Sequence, residues 1–272
     1  MHFGFKGKTV LVTGGSSGIG RATVLALAQE PDVNIAFTYF NNEGGARELV
    51  QSIEAEGGLA TAVHLDLANH ASIEQAVTAV ATRFGQIDVL VNNAVHWGRG
   101  ANRGKPFEAM PLTQWEETIG VNLFGTVKVT QAVVPFMRQQ KWGRIVNVSS
   151  DLAVDSMVGS GPYSTLKSAL FGFTANLVEE LSADGILSNV VMPGWTLTDR
   201  VRTFFPAGIH EEIKTAFPTG RVTMPEDVAS LILYLASPAN GHVNGEIIRV
   251  TGKASLPFVN HLFREFMSQV ST

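Results

Sequence analysis

The chain has 272 residues, 45% of them hydrophobic, which is enough to bury the core of one α/β domain. It has no cysteine, which excludes disulfides, thiol catalysis and thiolate metal sites and fits a reducing, cytoplasmic setting. A formal net charge of −4 gives no general case for nucleic acid or an anionic membrane surface as a partner. No uncharged apolar run approaches the ~18 residues of a membrane-spanning helix, and Met1–Lys8 lacks the apolar stretch of a signal peptide.

The first apolar run, 8–13, reads as a buried strand, and Arg21 to Ala28 reads as the helix after it. Between them lies Thr13-Gly14-Gly15-Ser16-Ser17-Gly18-Ile19-Gly20. Glycines at a strand-to-helix turn let the backbone bend sharply and let a pyrophosphate approach the helix N-terminus. The next strand, 33–39, ends at Tyr39, where a dinucleotide fold that prefers NAD carries an acid for the ribose diol. Phe40, Asn41 and Asn42 follow; Arg21 and Arg47 lie nearby but read as solvated helix residues.

Further strands are expected at 60–65, 87–92, 143–149, 186–192 and 246–250, with amphipathic helices such as 44–56 and 70–84 between them. Strands alternating with helices imply a parallel, doubly wound sheet covered on both faces. The strand at 87–92 ends in Asn92-Asn93-Ala94. A helix-like segment from about Gln114 to Arg138 contains Asn122, an unfavourable residue inside a helix, which points to a local structural or catalytic demand. The strand at 143–149 ends in the hydroxyls of Ser149 and Ser150.

Pro162 fits the first turn of a helix, and Tyr163 and Lys167 then share one face at i and i+4. A cation ~4 Å from a phenol is worth up to about 4 kcal/mol at an effective dielectric of 20, or about three pKa units. Such a charge would draw a tyrosine toward general acid–base work near neutral pH.

Together these motifs resemble the short-chain dehydrogenase/reductase family from about Lys6 to Gly252, and within it the ketoacyl–carrier-protein reductases. The resemblance implies one doubly wound (Rossmann) α/β domain over 1–252, with a mostly seven-stranded parallel sheet, and a C-terminal helical extension over 253–272. It assigns a catalytic tetrad to Asn122, Ser150, Tyr163 and Lys167, with Asn122 anchoring a water that links Lys167 to solvent. For the cofactor it implies Gly14, Ser16, Ser17, Gly18, Ile19 and Gly20 in the turn, Tyr39 and Asn41 after the second strand, and Asp66 and Leu67 after the third. Asn93, Ala94, Tyr163, Lys167, Pro193, Gly194, Thr196 and Thr198 complete that set. Val95 departs from the family's Asn-Asn-Ala-Gly motif.

The missing carboxylate at Tyr39 favours NADPH over NAD(H), because nothing there repels a 2′-phosphate. The basic, glycine-bearing loop 95–106 reads as a contact for an anionic carrier-protein or coenzyme A phosphate, or as a surface insertion. His96, Trp97, Trp195, Phe204 and Phe205 are the substrate candidates, with 198–220 as a lid. Phe258, Leu262, Phe266 and Val270 mark one apolar face of a C-terminal helix that folds back or packs on a neighbouring subunit. The expected protein is thus an NADPH-dependent carbonyl reductase on an apolar keto substrate such as a ketoacyl thioester. No metal is expected, and a homo-oligomer (dimer or tetramer) is. The alternatives are an NAD(P)-dependent alcohol dehydrogenase on a small hydroxylated metabolite and, remotely, a non-catalytic cofactor-binding scaffold.

Overall fold

The computed structural model describes residues 3–96, 106–204, 212–253 and 261, without the side chain of Phe204. Seven parallel strands form one sheet in the order β3-β2-β1-β4-β5-β6-β7. They are β1 (Thr9–Val12), β2 (Asn34–Tyr39), β3 (Leu59–His64), β4 (Val89–Asn92), β5 (Gly143–Val148), β6 (Ile186–Pro193) and β7 (Ile247–Val250). All seven fall where the apolar runs put them, within the residue or two by which strand ends vary.

Both sheet faces are covered, which is why the central strands are continuous apolar runs rather than alternating ones. On one face α1 (Gly18–Ala28) and α2 (Glu43–Ala55) bury Val24, Leu27, Leu49 and Ile53 against Val10, Val12, Ile35 and Phe37. On the other, α3 (His70–Phe84) contributes Ile73, Val77 and Val80 over Leu11, Leu90 and Ile145.

The expected helix around Asn122 is three pieces: α4 (Leu112–Ile119), a π-helical turn (Gly120–Phe124) and α5 (Gly125–Gln140). By length and composition Leu112–Gln140 is the one helical run among the described residues able to cross a membrane. Here its inner face belongs to the fold, with Val129, Val133 and Met137 fully buried in the cluster beneath the sheet. After β5 come α6 (Leu152–Asp155) and α7 (Gly161–Leu181), which has Pro162 in its first turn as expected. After β6 come α8 (Asp199–Phe204) and α9 (Pro225–Ala236), the latter returning to the α1 face.

Strand order reverses between β1 and β4, whose carboxyl ends carry the glycine turn and Asn92–Ala94. Such a switch point opens the crevice where open α/β sheets bind ligands.

Candidate active site

The glycine turn is pinned from two sides. Gly14 N donates to Thr38 Oγ1 at 3.0 Å and Gly15 N to Thr38 O at 2.9 Å, tying it to β2. Thr13 Oγ1 accepts from Asn93 N and Ala94 N at 2.9 and 3.0 Å, while Asn93 Nδ2 donates to Thr13 O and Gly14 O at 2.9 and 3.2 Å, tying it to β4. Close approach explains the glycines: a Cβ on Gly20 would lie 2.2 Å from Gly14 O and 2.6 Å from Asn93 Nδ2. Gly18 has φ +53 and lies under Thr198, whose Cγ2 would be 3.3 Å from a Cβ there. The Gly194–Thr198 segment therefore closes over the turn.

No side chain caps α1 at Ser17, so the backbone amides that open this helix face the crevice without a side-chain partner. A glycine-rich turn, an uncapped helix start and a covering segment fit the pyrophosphate of a dinucleotide. Tyr39 packs edge-on to His64 with ring centroids 5.7 Å apart, Phe40 is 44% exposed beside His64 and His96, and Asn41 is exposed. Asp66 is half-buried and accepts Ala68 N at 2.9 Å, whereas Leu67 is buried and backs onto Gly125 of α5. Of the expected cofactor residues, Asn93 and Leu67 thus build the cleft from behind.

β5 and α7 bring Ser150, Tyr163 and Lys167 to one end of the sheet. Lys167 Nζ donates to Val148 O at 2.7 Å and lies 5.7 Å from the centroid of the Tyr163 ring. Ser149 Oγ returns the contact, donating to Lys167 O at 2.8 Å. The lysine side chain is buried, and burial lowers its pKa to about 8. Ser150 follows at the strand end, half-buried, with Oγ accepting Leu152 N at 3.3 Å.

Asn122 sits in the π turn with its side chain on the main chain of His96 and Thr118. Its two amide hydrogens are both committed there. The water-anchoring role that the resemblance implies is therefore not carried by a free Asn122 N–H.

The apolar side is built by Met157, Trp195, Leu197 and Val201 packed on Ile213, Ala216, Phe217 and Val222. Trp195 is thus in a small cluster after β6, while His96 lies apart from it, 3.5 Å from Glu117 through Nε2. Phe205, Trp97, most of loop 95–106 and nearly all of 253–272 lie outside the described residues, as does the Phe204 side chain.

The family model described as short chain dehydrogenase matches residues 8–207. The chain is a short-chain dehydrogenase/reductase. It is 38% identical to a 3-oxoacyl-[acyl-carrier-protein] reductase FabG of Aquifex aeolicus, over 93% of this chain and 99% of that one. It is 34% identical to an acetoacetyl-CoA reductase of Shinella zoogloeoides, over 90% and 97%. A solved 7α-hydroxysteroid dehydrogenase in complex with NADH and 7-oxo glycochenodeoxycholic acid superposes with a TM-score of 0.83, at 26% identity over 93% and 96% of the two chains. As a member of this family with ketoreductase-named relatives, the protein is an oxidoreductase acting on CH–OH/C=O groups.

Two features of this short-chain dehydrogenase escape a motif reading. A buried chain runs from Thr130 through Asn92 and Asn147 to Thr174, with Asn92 Nδ2 donating to Thr130 Oγ1 (3.0 Å) and Asn147 Oδ1 (2.9 Å), and Asn147 Nδ2 to Thr174 Oγ1 (2.9 Å). It locks α5 and α7 to the two strands that carry the site. The second is Asp151, buried beside Ser150, whose carboxyl burial pushes up to about 6. Sequence carries one signal for the first: polar residues inside otherwise apolar strands.

Proposed function

We propose that the chain is an NADPH-dependent carbonyl reductase that uses Tyr163 as general acid on a ketoacyl thioester or another apolar ketone. The observation that carries this reading is the seating of Lys167, buried against Val148 and Ser149 at the end of β5 and on the same helix face as Tyr163. A buried ammonium is costly unless used. One of its three hydrogens goes to Val148 O, which leaves two for a cofactor ribose and the phenol.

When bound, the reduced nicotinamide supplies the hydride. Gly14–Gly20 would hold its pyrophosphate, and Pro193–Thr198 would cover the nicotinamide end. Tyr163 gives its phenolic proton to the carbonyl oxygen as charge develops there, with Ser150 Oγ donating a second hydrogen bond to the same oxygen. The Lys167 charge favours the phenolate left behind. Met157 and Trp195 offer an apolar wall for the substrate chain.

NADPH is favoured because Tyr39 replaces the ribose-binding acid, and because the nearby Glu43 is engaged by Arg47 at 2.5 Å. The thioester reading rests on the names of the relatives, two kinds of which act on acyl carrier protein or CoA thioesters. A cytoplasmic homo-oligomer goes with it. Exposed Phe107 (80%), Leu112 (70%) and Phe124 (59%) give α4 and its flanks an apolar face that supports association with further copies.

Purified protein is tested for NADPH and NADH oxidation with acetoacetyl-CoA, a ketoacyl carrier protein and cyclic ketones. Oxidation with the thioesters, and higher kcat/KM with NADPH, is expected. Oxidation with cyclic ketones alone would leave another apolar ketone as the substrate in place of the thioester. No oxidation with any of these carbonyls, or equal efficiency with NADH, would overturn the corresponding half of the proposal.

A further inference from the structure

Ser150 and Asp151 are joined by their side chains. Ser150 Oγ donates to Asp151 Oδ1 at 3.2 Å, and Asp151 N donates to Pro193 O of β6 at 2.8 Å, which fixes the acid at the strand end. Asp151 is 6% exposed. Arg249 of β7, the cation that acts on it, spends its Nη1 on Asp155 Oδ2 at 2.9 Å instead. Asp155 on its own helix and Arg249 on β7 are the charges bearing on the carboxyl, and α7, packed on α6, carries Tyr163 and Lys167.

A serine hydroxyl has one proton. While that proton rests on a carboxylate it is not available to a substrate oxygen. At 3.2 Å the contact is long for an O–H···O bond, whose usual length is about 2.7–2.8 Å, so it exchanges readily.

We propose that Asp151 is a positioning residue that sets the direction in which Ser150 donates: the carboxylate turns the hydroxyl proton away from a substrate oxygen, and the neutral acid donates to Ser150 Oγ and releases that proton to the substrate. Burial moves the exchange toward neutral pH. The inference deepens the carbonyl-reductase reading and rests on it for its catalytic half. Its structural half, the Ser150–Asp151 link, stands without a substrate.

Two measurements test it. The first follows the Asp151 carboxyl carbon by NMR titration in the full chain and in Ser150→Ala. The hydroxyl favours the carboxylate, so its removal should raise the midpoint by about half a pH unit or more; an unmoved midpoint overturns the link. The second compares kcat/KM for acetoacetyl-CoA reduction between pH 5.5 and 8 in wild type and Asp151→Asn, whose amide donates to Ser150 Oγ as the neutral acid does. Tyr163 imposes the same pH limb on both, so the difference reads Asp151. Equal rates at the acid end and about threefold or more advantage for Asp151→Asn at pH 8 are expected. Parallel profiles, with Asp151→Asn folded and binding NADPH normally, overturn the positioning role. A raised midpoint in Ser150→Ala together with no carbonyl reduction by wild type would instead keep the link and sink the reductase reading.

Discussion

Asn122 holds His96 by both of its main-chain polar atoms: Oδ1 accepts His96 N at 2.6 Å and Nδ2 donates to His96 O at 3.0 Å. The second amide hydrogen goes to Thr118 O at 2.8 Å, at the edge of the π turn. An asparagine that is poor for a helix is therefore what fastens the chain leaving β4 to the helix beside the site. π turns of this kind recur at functional sites.

Asn122→Ala leaves a partly buried N–H and C=O without partners and should cost about 1–3 kcal/mol, with a fall in kcat. Asn122→Asp keeps the acceptor alone and should fall between. Urea unfolding with parallel kinetics reads both effects, and an alanine variant as stable and active as wild type would contradict the clamp.

Gly20→Ala should lose dinucleotide affinity and thermal stability together, since its Cβ would meet Gly14 O at 2.2 Å. Gly44→Ala is the control. That position lies in the first turn of α2 with open space around a Cβ, so the change should be neutral or stabilising by up to about 1 kcal/mol. Calorimetric cofactor binding on both variants separates the turn from glycine replacement in general.

Lys167 carries its charge only below a pKa of about 8, because burial disfavours the ammonium. Dinucleotide affinity that depends on this ammonium should weaken as pH rises through 8. In Lys167→Ala it should be weaker at pH 7 and flat between pH 7 and 9. A wild-type affinity constant across that range would show that Lys167 does not touch the cofactor.

Asp151 has the opposite linkage to an ordinary buried salt-bridged acid. Its folded pKa of about 6 lies above the unfolded value, so the native state binds the extra proton. The corresponding stability is present below about pH 4 and is lost as pH rises toward 6. A shift of about two units corresponds to about 3 kcal/mol as an upper figure. Asp151→Asn should therefore raise Tm at pH 7.5 and leave it nearly unchanged at pH 4, as read by thermal unfolding at the two pH values.

The strands, the glycine turn and the Tyr163–Lys167 face were legible because each is a local pattern: apolar runs, strand-to-helix glycines, an i, i+4 pair after a helix-start proline. Asn122 was legible as an anomaly but not in its role, since its partner His96 is brought to it by tertiary contact alone. The Thr130–Asn92–Asn147–Thr174 chain crosses four elements: polar residues inside apolar strands are visible in the sequence, but their pairing is made by tertiary contact. Asp151 looks like any acid at a helix start until its burial is known. Val95 illustrates the converse, a visible departure from a motif that leaves the hold of Thr13 on Asn93 and Ala94 intact.

The most direct measurement is the initial rate of NADPH oxidation by acetoacetyl-CoA in wild type and Tyr163→Phe, with NADPH affinity measured on both. If the phenol is the proton donor, Tyr163→Phe loses about 100-fold or more in kcat and keeps NADPH affinity within a few-fold. Near-normal turnover by Tyr163→Phe would contradict the mechanism at its centre.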